Sequence, residues 1–76
     1  MAYNKDKVDE MTLALLYLVT EKGKGGARAW KGFGWETMNR LHEKGYISDP
    51  KSKAKSVVVS DEGERLAEEL FKKHFA

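Results

Sequence analysis

Three patterns predict a single small α+β domain over residues 1–76, with the element order α-β-α-β-β-α. Apolar residues recur at helical spacing near both ends of the chain, which indicates a helix at each end. A further helix is predicted to end at Gly45, because glycine readily takes the left-handed conformation that closes a helix. The β-branched run at 57–59 predicts a strand before the last helix.

The two terminal helices are expected to form the centre of the core. The first is predicted to begin near Asp6, whose carboxylate can cap it, and the last to begin after the capping residue Ser60. From the helical spacing we expect Leu15 and Leu70 to be buried and to pack near each other. The predicted inner face of the first helix comprises Val8, Met11, Leu15, Leu18 and Val19, widened by Leu13, Leu16 and Tyr17.

The middle of the chain alternates turns, short strands and one helix. Residues 23–26 (GKGG) predict a loop tip, and their spacing does not match a phosphate-binding loop. Residues 27–33 predict an extended segment, 35–44 a helix, and 46–47 a strand that enters a turn at 48–50. The inner face of the predicted helix comprises Trp35, Met38, Leu41 and His42.

Charge is distributed unevenly along the sequence. Residues 22–56 hold nine basic and three acidic side chains, a net charge of +6, whereas residues 1–21 and 57–76 each carry −2. A basic centre suits a polyanionic partner. A solvated basic surface that only aids solubility explains the same pattern equally well, so both interpretations stay open.

The sequence gives no sign of an enzyme. The absence of cysteine excludes disulfides, thiolate catalysis and cysteine zinc sites. His42 and His74 lack metal-ligand spacing, and no motif activates a serine hydroxyl. We therefore expect no catalysis, no cofactor, no metal site and no small-molecule substrate.

The most apolar run, residues 11–19, is too short for a membrane helix, which needs about 20 residues. The start of the chain also lacks the basic region and cleavage site of a signal peptide. We therefore expect a cytoplasmic protein of bacterial type without a membrane partner.

Four segments carry a resemblance to known proteins: LALLYL at 13–18, RAWKGF at 28–33, LHEKGYI at 41–47 and KSVV at 55–58. They are similar to a family of small bacterial proteins of unknown function, and the match covers nearly the whole chain. The order helix, strand, basic loop, strand and helix over 41–63 also resembles winged-helix domains. That broader resemblance implies either DNA binding or protein docking. The chain departs from it by leaving little room for the additional helix of a helix-turn-helix.

In the first functional hypothesis, the chain binds double-stranded DNA. Helix 35–44 would enter the major groove, with Asn39 suited to adenine and Arg40 to guanine or phosphate. Glu36 and Glu43 on the same face oppose this, because phosphates repel carboxylates. The candidate nucleic-acid-binding residues are Asn39, Arg40 and Lys44 on the helix, with Lys51, Lys53 and Lys55 on the wing contacting phosphates.

In the alternative hypothesis, the chain is a protein-interaction module or a homodimer. Trp30, Phe33 and Trp35 lie within six residues, and any that remain exposed would form an interaction patch. The same aromatic residues could instead close the core, which we favour for Trp35 and weigh evenly for Trp30. An exposed aromatic patch would favour a protein partner, and an exposed basic helix face would favour DNA.

Overall fold

The computed structural model describes residues 1–23 and 26–76, and it contains three helices and one antiparallel sheet. The small α+β class is therefore confirmed. A strand at residues 20–23 is an addition to the predicted elements, and the strand predicted at 46–47 is reduced to a bridge between Ile47 and Val59. The elements are α1 (Lys5–Val19), β1 (Thr20–Gly23), β2 (Gly26–Trp30), α2 (Trp35–Glu43), β3 (Ser56–Val59) and α3 (Asp61–Phe75).

The sheet has the order β1-β2-β3, and its side chains alternate between two faces. In β2, Ala27 and Ala29 are buried against the helices, whereas Arg28 and Trp30 point outward. Ala29 pairs with Thr20 on one side and Val57 on the other, which fixes this register. The sheet therefore has one face in the core and one face open to solvent.

The loop tip predicted at residues 23–26 falls at the connection between β1 and β2, of which the structure describes only Gly23 and Gly26. Gly23 and Gly26 are cross-strand partners. Lys24 and Gly25, which make up the rest of the predicted loop tip, lie outside the described residues.

Local hydrogen bonds set the helix ends. Asn4 caps α1, since its side-chain oxygen accepts a 3.0 Å hydrogen bond from the Lys7 N–H. The predicted cap at Asp6 is wrong, because Asp6 already lies within the first turn and its carboxylate cannot take the capping position.

Ser60 caps α3 as predicted, accepting from the Gly63 N–H at 3.0 Å. Gly45, with φ of 83°, confirms the left-handed end of α2.

Only part of the predicted inner face of α1 enters the core: Leu13 and Leu16, which widen that face, are inside, but none of the five residues at its centre is buried. Leu13 and Leu16 are fully buried, whereas Leu15 is 38% exposed and Leu18 is 64% exposed. The prediction that Leu15 is buried is wrong, and that for Leu70 is correct. The physical reason is that α1 is apolar around most of its circumference, so spacing alone could not select the face that contacts the rest of the domain. The core residues are Leu13, Ala14, Leu16, Ala27, Ala29, Met38, Leu41, Ile47, Val57, Val59, Ala67 and Leu70.

Candidate functional site

The guanidinium of Arg40, predicted to read DNA, instead binds a buried carboxylate of α1. Arg40 Nε lies 2.9 Å from both carboxylate oxygens of Asp9, and Arg40 Nη2 lies 2.9 Å from Oδ1. Asp9 is only 2% exposed. A base contact would require Arg40 to leave this buried carboxylate and remove one of its counter-charges, which is costly in free energy. Arg40 therefore holds α1 against α2 in this structure.

Lys44 completes the same ionic cluster. Its Nζ lies 2.9 Å from Asp9 Oδ2 and 3.5 Å from Asp6 Oδ1. Burial raises the pKa of Asp9, but the hydrogen bonds from Arg40 and Lys44 outweigh it and bring that pKa below its ordinary value. The hydrogen bond with Asp9 raises the pKa of Lys44. Sequence reasoning did not identify Asp9 as the partner of both cations.

The three wing lysines are exposed, and they lie in turns and bends. Lys51 extends over the ring of Trp35, with its Nζ 5.8 Å from the ring centroid. The Nζ of Lys31 anchors the loop by donating to the carbonyls of Pro50 at 2.9 Å and Ser52 at 2.6 Å. Four of the six predicted nucleic-acid-binding residues are exposed, namely Lys44, Lys51, Lys53 and Lys55. The other two, Asn39 and Arg40, are half-buried.

Both tryptophans remain largely in solvent. Trp30 is 58% exposed and Trp35 is 56% exposed, whereas Phe33 packs against the core. The expectation that Trp35 closes the core is wrong, because Trp35 is the first residue of α2 and Met38 and Leu41 fill the inner face. His42, also predicted on the inner face, is exposed, and its Nδ1 lies 3.0 Å from the carbonyl oxygen of Ile47.

The Trp30 side chain has a defined position on the open face of the sheet. Its ring lies edge-on to Phe33, with 6.0 Å between the ring centroids. The same ring covers Gly32 so closely that a Cβ there would overlap the indole. Trp30 therefore presents one side of a held ring to solvent.

Polar groups surround Trp30. Arg28 donates from Nε to Ser56 Oγ at 2.8 Å and from Nη2 to the Ser56 carbonyl at 3.0 Å, which ties its guanidinium to β3. A shallow cleft of about 330 Å³ on this face is lined by Val19, Glu21, Arg28, Trp30, Lys55 and Ser56.

The apolar side chains of α1 continue this surface. Val19 lines the cleft beside Trp30, and Leu15 lies one helical turn before Val19. We call the outward face of α1 the outer stripe; it comprises the half-buried Val8 and Met11 and the exposed Leu15, Leu18 and Val19. Sequence reasoning found this set of residues but assigned it to the core.

Two negative findings apply to the described residues, 1–23 and 26–76. No three histidine, aspartate or glutamate side chains there are arranged to hold a metal ion. None of their helices has the length and apolar character that crossing a membrane requires.

Comparisons with known proteins agree with the resemblance seen in the sequence. The chain is 49% identical over 75 residues to the uncharacterized protein y4hR of Sinorhizobium fredii (strain NBRC 101917 / NGR234), covering 99% of this chain and 97% of that protein. No solved structure matches the chain. The family model described as "Domain of unknown function (DUF6429)" matches residues 4–76, and the chain therefore belongs to this family.

Proposed function

We propose that the chain is a non-catalytic, winged-helix-like domain of the bacterial cytoplasm that docks a protein through the surface around Trp30. The observation that carries this proposal is the exposure of both tryptophans, each by more than half, in a domain of 76 residues. Tryptophan is among the residues most enriched at the energetic centres of protein interfaces. Trp30 also lies beside the exposed Val19 in one cleft, and contiguous exposed apolar surface is typical of interaction sites.

The environment of Trp30 supports a docking role. Phe33 and the backbone at Gly32 hold the indole ring, so binding would cost little side-chain entropy. Arg28 and Lys55 lie at the margin of the same cleft. An apolar centre with a polar margin is the usual composition of a protein interface.

Photo-cross-linking in cells that express the chain natively tests this proposal. A photoreactive phenylalanine analogue is placed at position 30, and a matched control carries it at the exposed position of Arg65 on α3. We expect protein adducts from position 30 and none from position 65. Equal labelling from both positions, or none from position 30, would contradict the proposal.

Double-stranded DNA is the second candidate partner, favoured by the exposure of Lys51, Lys53 and Lys55. These lysines could bind phosphates, whereas base reading by Arg40 would require it to leave Asp9. If this candidate is right, changing the three lysines to alanine should reduce the slope of the salt dependence of binding by roughly one unit for each phosphate that a lysine no longer neutralises. A titration of the unmodified chain with mixed-sequence duplex in about 50 mM salt, where nonspecific binding is strong, removes this candidate if no binding appears.

A further inference from the structure

We propose that the protein partner is a second copy of this chain, bound through the outer stripe of α1 with Trp30 at each end of the interface. This inference rests on the proposed docking function and names its partner. It also assigns a role to apolar side chains of α1 that the domain itself does not bury.

The spacing of the outer stripe suits a helix–helix contact. Val8, Met11, Leu15 and Leu18 follow one another at intervals of three, four and three residues, which is the a/d pattern of a coiled-coil seam. The opposite face of α1 carries Leu13 and Leu16 into the core. A helix with apolar residues on both faces is typical of one that is covered on both sides.

The exposed area fits a small dimer interface. Leu15, Leu18, Val19 and Trp30 are the exposed large apolar residues of this surface. Together they leave roughly 400 Å² of side-chain surface uncovered, with a whole tryptophan counted at about 250 Å². A dimer would bury this area on both copies, which gives about twice that value. The half-buried Val8 and Met11 and the polar margin would add the remainder of the ~1,000 Å² that a specific interface needs.

A two-fold axis makes such a surface complementary to itself, since each copy supplies the same side chains. A small domain without disulfides or metal is also one in which association commonly contributes to stability. A second copy therefore covers the stripe without requiring any other chain.

The charges at the two ends of the stripe favour an antiparallel arrangement. Its midpoint lies between Met11 and Leu15, so an antiparallel contact places Lys7 of one copy at the end of the partner subunit's stripe where α1 passes into β1 and Glu21 follows. Both side chains are exposed, and Glu21 lines the Trp30 cleft. A parallel arrangement would instead bring the two copies of Lys7 together. Opposed helix dipoles add to the preference for the antiparallel form.

Sedimentation equilibrium of the purified full chain tests the dimer. We expect a concentration-dependent monomer–dimer equilibrium whose dissociation constant rises at least about tenfold in the Leu18→Lys variant, since a large apolar contact is replaced by a charge. Phe75→Lys is the matched control, because Phe75 is also an exposed apolar residue but lies at the end of α3. We expect Phe75→Lys to leave the dissociation constant unchanged. Circular dichroism that matches the unmodified chain shows that each variant is folded.

A chain that stays monomeric up to about 1 mM would overturn the dimer. Dimerisation that Leu18→Lys leaves unchanged would overturn the assigned surface. Photo-adducts from position 30 with other proteins, found together with a monomeric chain, would overturn the second copy as partner while leaving the docking function in place. Adducts of twice the mass of the chain would support both the docking function and the second copy as the partner.

Cysteine cross-linking tests the orientation, because the sequence contains no cysteine of its own. In an antiparallel dimer Met11 lies opposite Leu15 of the partner subunit. A mixture of Met11→Cys and Leu15→Cys chains should therefore form the mixed disulfide faster than either variant links to itself. Faster self-linking of either variant would overturn the antiparallel arrangement.

Discussion

Arg40 Nε on α2 lies 2.9 Å from both carboxylate oxygens of Asp9 on α1, in a site where Asp9 is almost completely buried. The pair joins two helices that are distant in sequence, and Lys44 adds a third charge to it. A group predicted to be free for DNA is therefore part of the scaffold. Because burying a charge is costly, the contribution of each of these three charged groups to stability depends on the presence of the others.

Removing the carboxylate should destabilise the domain. We expect Asp9→Asn to lower the free energy of unfolding by about 3 kcal/mol near neutral pH, since a partly buried pair of cations loses its counter-charge. Denaturant unfolding measures this decrease. The control is Asp6→Asn, because Asp6 is exposed and its distance to Lys44 is longer. A similar effect from both variants would contradict the assigned role of Asp9.

The same pair predicts how stability depends on pH. The pKa of Asp9 is lower in the folded chain than its ordinary value, so its contribution is fully present above the unfolded pKa of about 3.9 and is lost as pH falls through the folded pKa. The difference in unfolding free energy between the unmodified chain and Asp9→Asn should therefore shrink on acidification from about pH 5 to pH 2. A difference that is constant or grows over this range would contradict the assignment.

Gly45 should be difficult to replace. Its φ of 83° lies in the left-handed region, where a β-branched side chain clashes with the backbone. We expect Gly45→Val to lower the free energy of unfolding by on the order of 1 kcal/mol or more. Gly45→Asn should lower it by less, because asparagine tolerates this conformation. Thermal unfolding of the two variants compares them. Equal costs would show that some other property of the valine side chain is responsible.

Gly32 should control the position of Trp30. A Cβ at position 32 would overlap the indole, so Gly32→Ala must displace the ring. In a Trp35→Phe background, where Trp30 is the remaining tryptophan, we expect a changed emission spectrum and altered iodide quenching. Gly34→Ala is the matched control, since a Cβ at position 34 would lie 3.8 Å from its nearest neighbour, Thr37 Oγ1, which is an ordinary van der Waals distance. Identical spectra for the Gly32→Ala and unmodified chains would show that the ring is not held there.

Sequence patterns predicted those parts of the fold that depend on local chemistry. Ser60 and Gly45 were recognised as helix boundaries because capping and left-handed φ are properties of single residues. The strand at 57–59 was recognised because β-branched residues favour extended backbone. The cap at Asn4 was missed because two side chains near the helix start, Asn4 and Asp6, can both serve as caps.

The candidate site could not be predicted in the same way, since it depends on which partner each side chain meets. Arg40 lies on an outer helix face by spacing, and only the tertiary structure brings Asp9 to it. Trp35 has an apolar side chain and the spacing of a core residue, but the start of α2 leaves it in solvent. Leu15 and Leu16 are chemically the same, and only packing decides which of them is inside.

The most direct test that α1 turns Leu16 into the core and leaves Leu15 at the surface is to truncate these two neighbours. At a protein concentration well below the dissociation constant of the proposed dimer, Leu16→Ala should lower the free energy of unfolding by about 2–5 kcal/mol, because it opens a cavity in the core. Leu15→Ala should lower it by much less, since Leu15 is 38% exposed. Denaturant unfolding of both variants under identical conditions gives the comparison. A larger decrease from Leu15→Ala than from Leu16→Ala would contradict this assignment of the two faces.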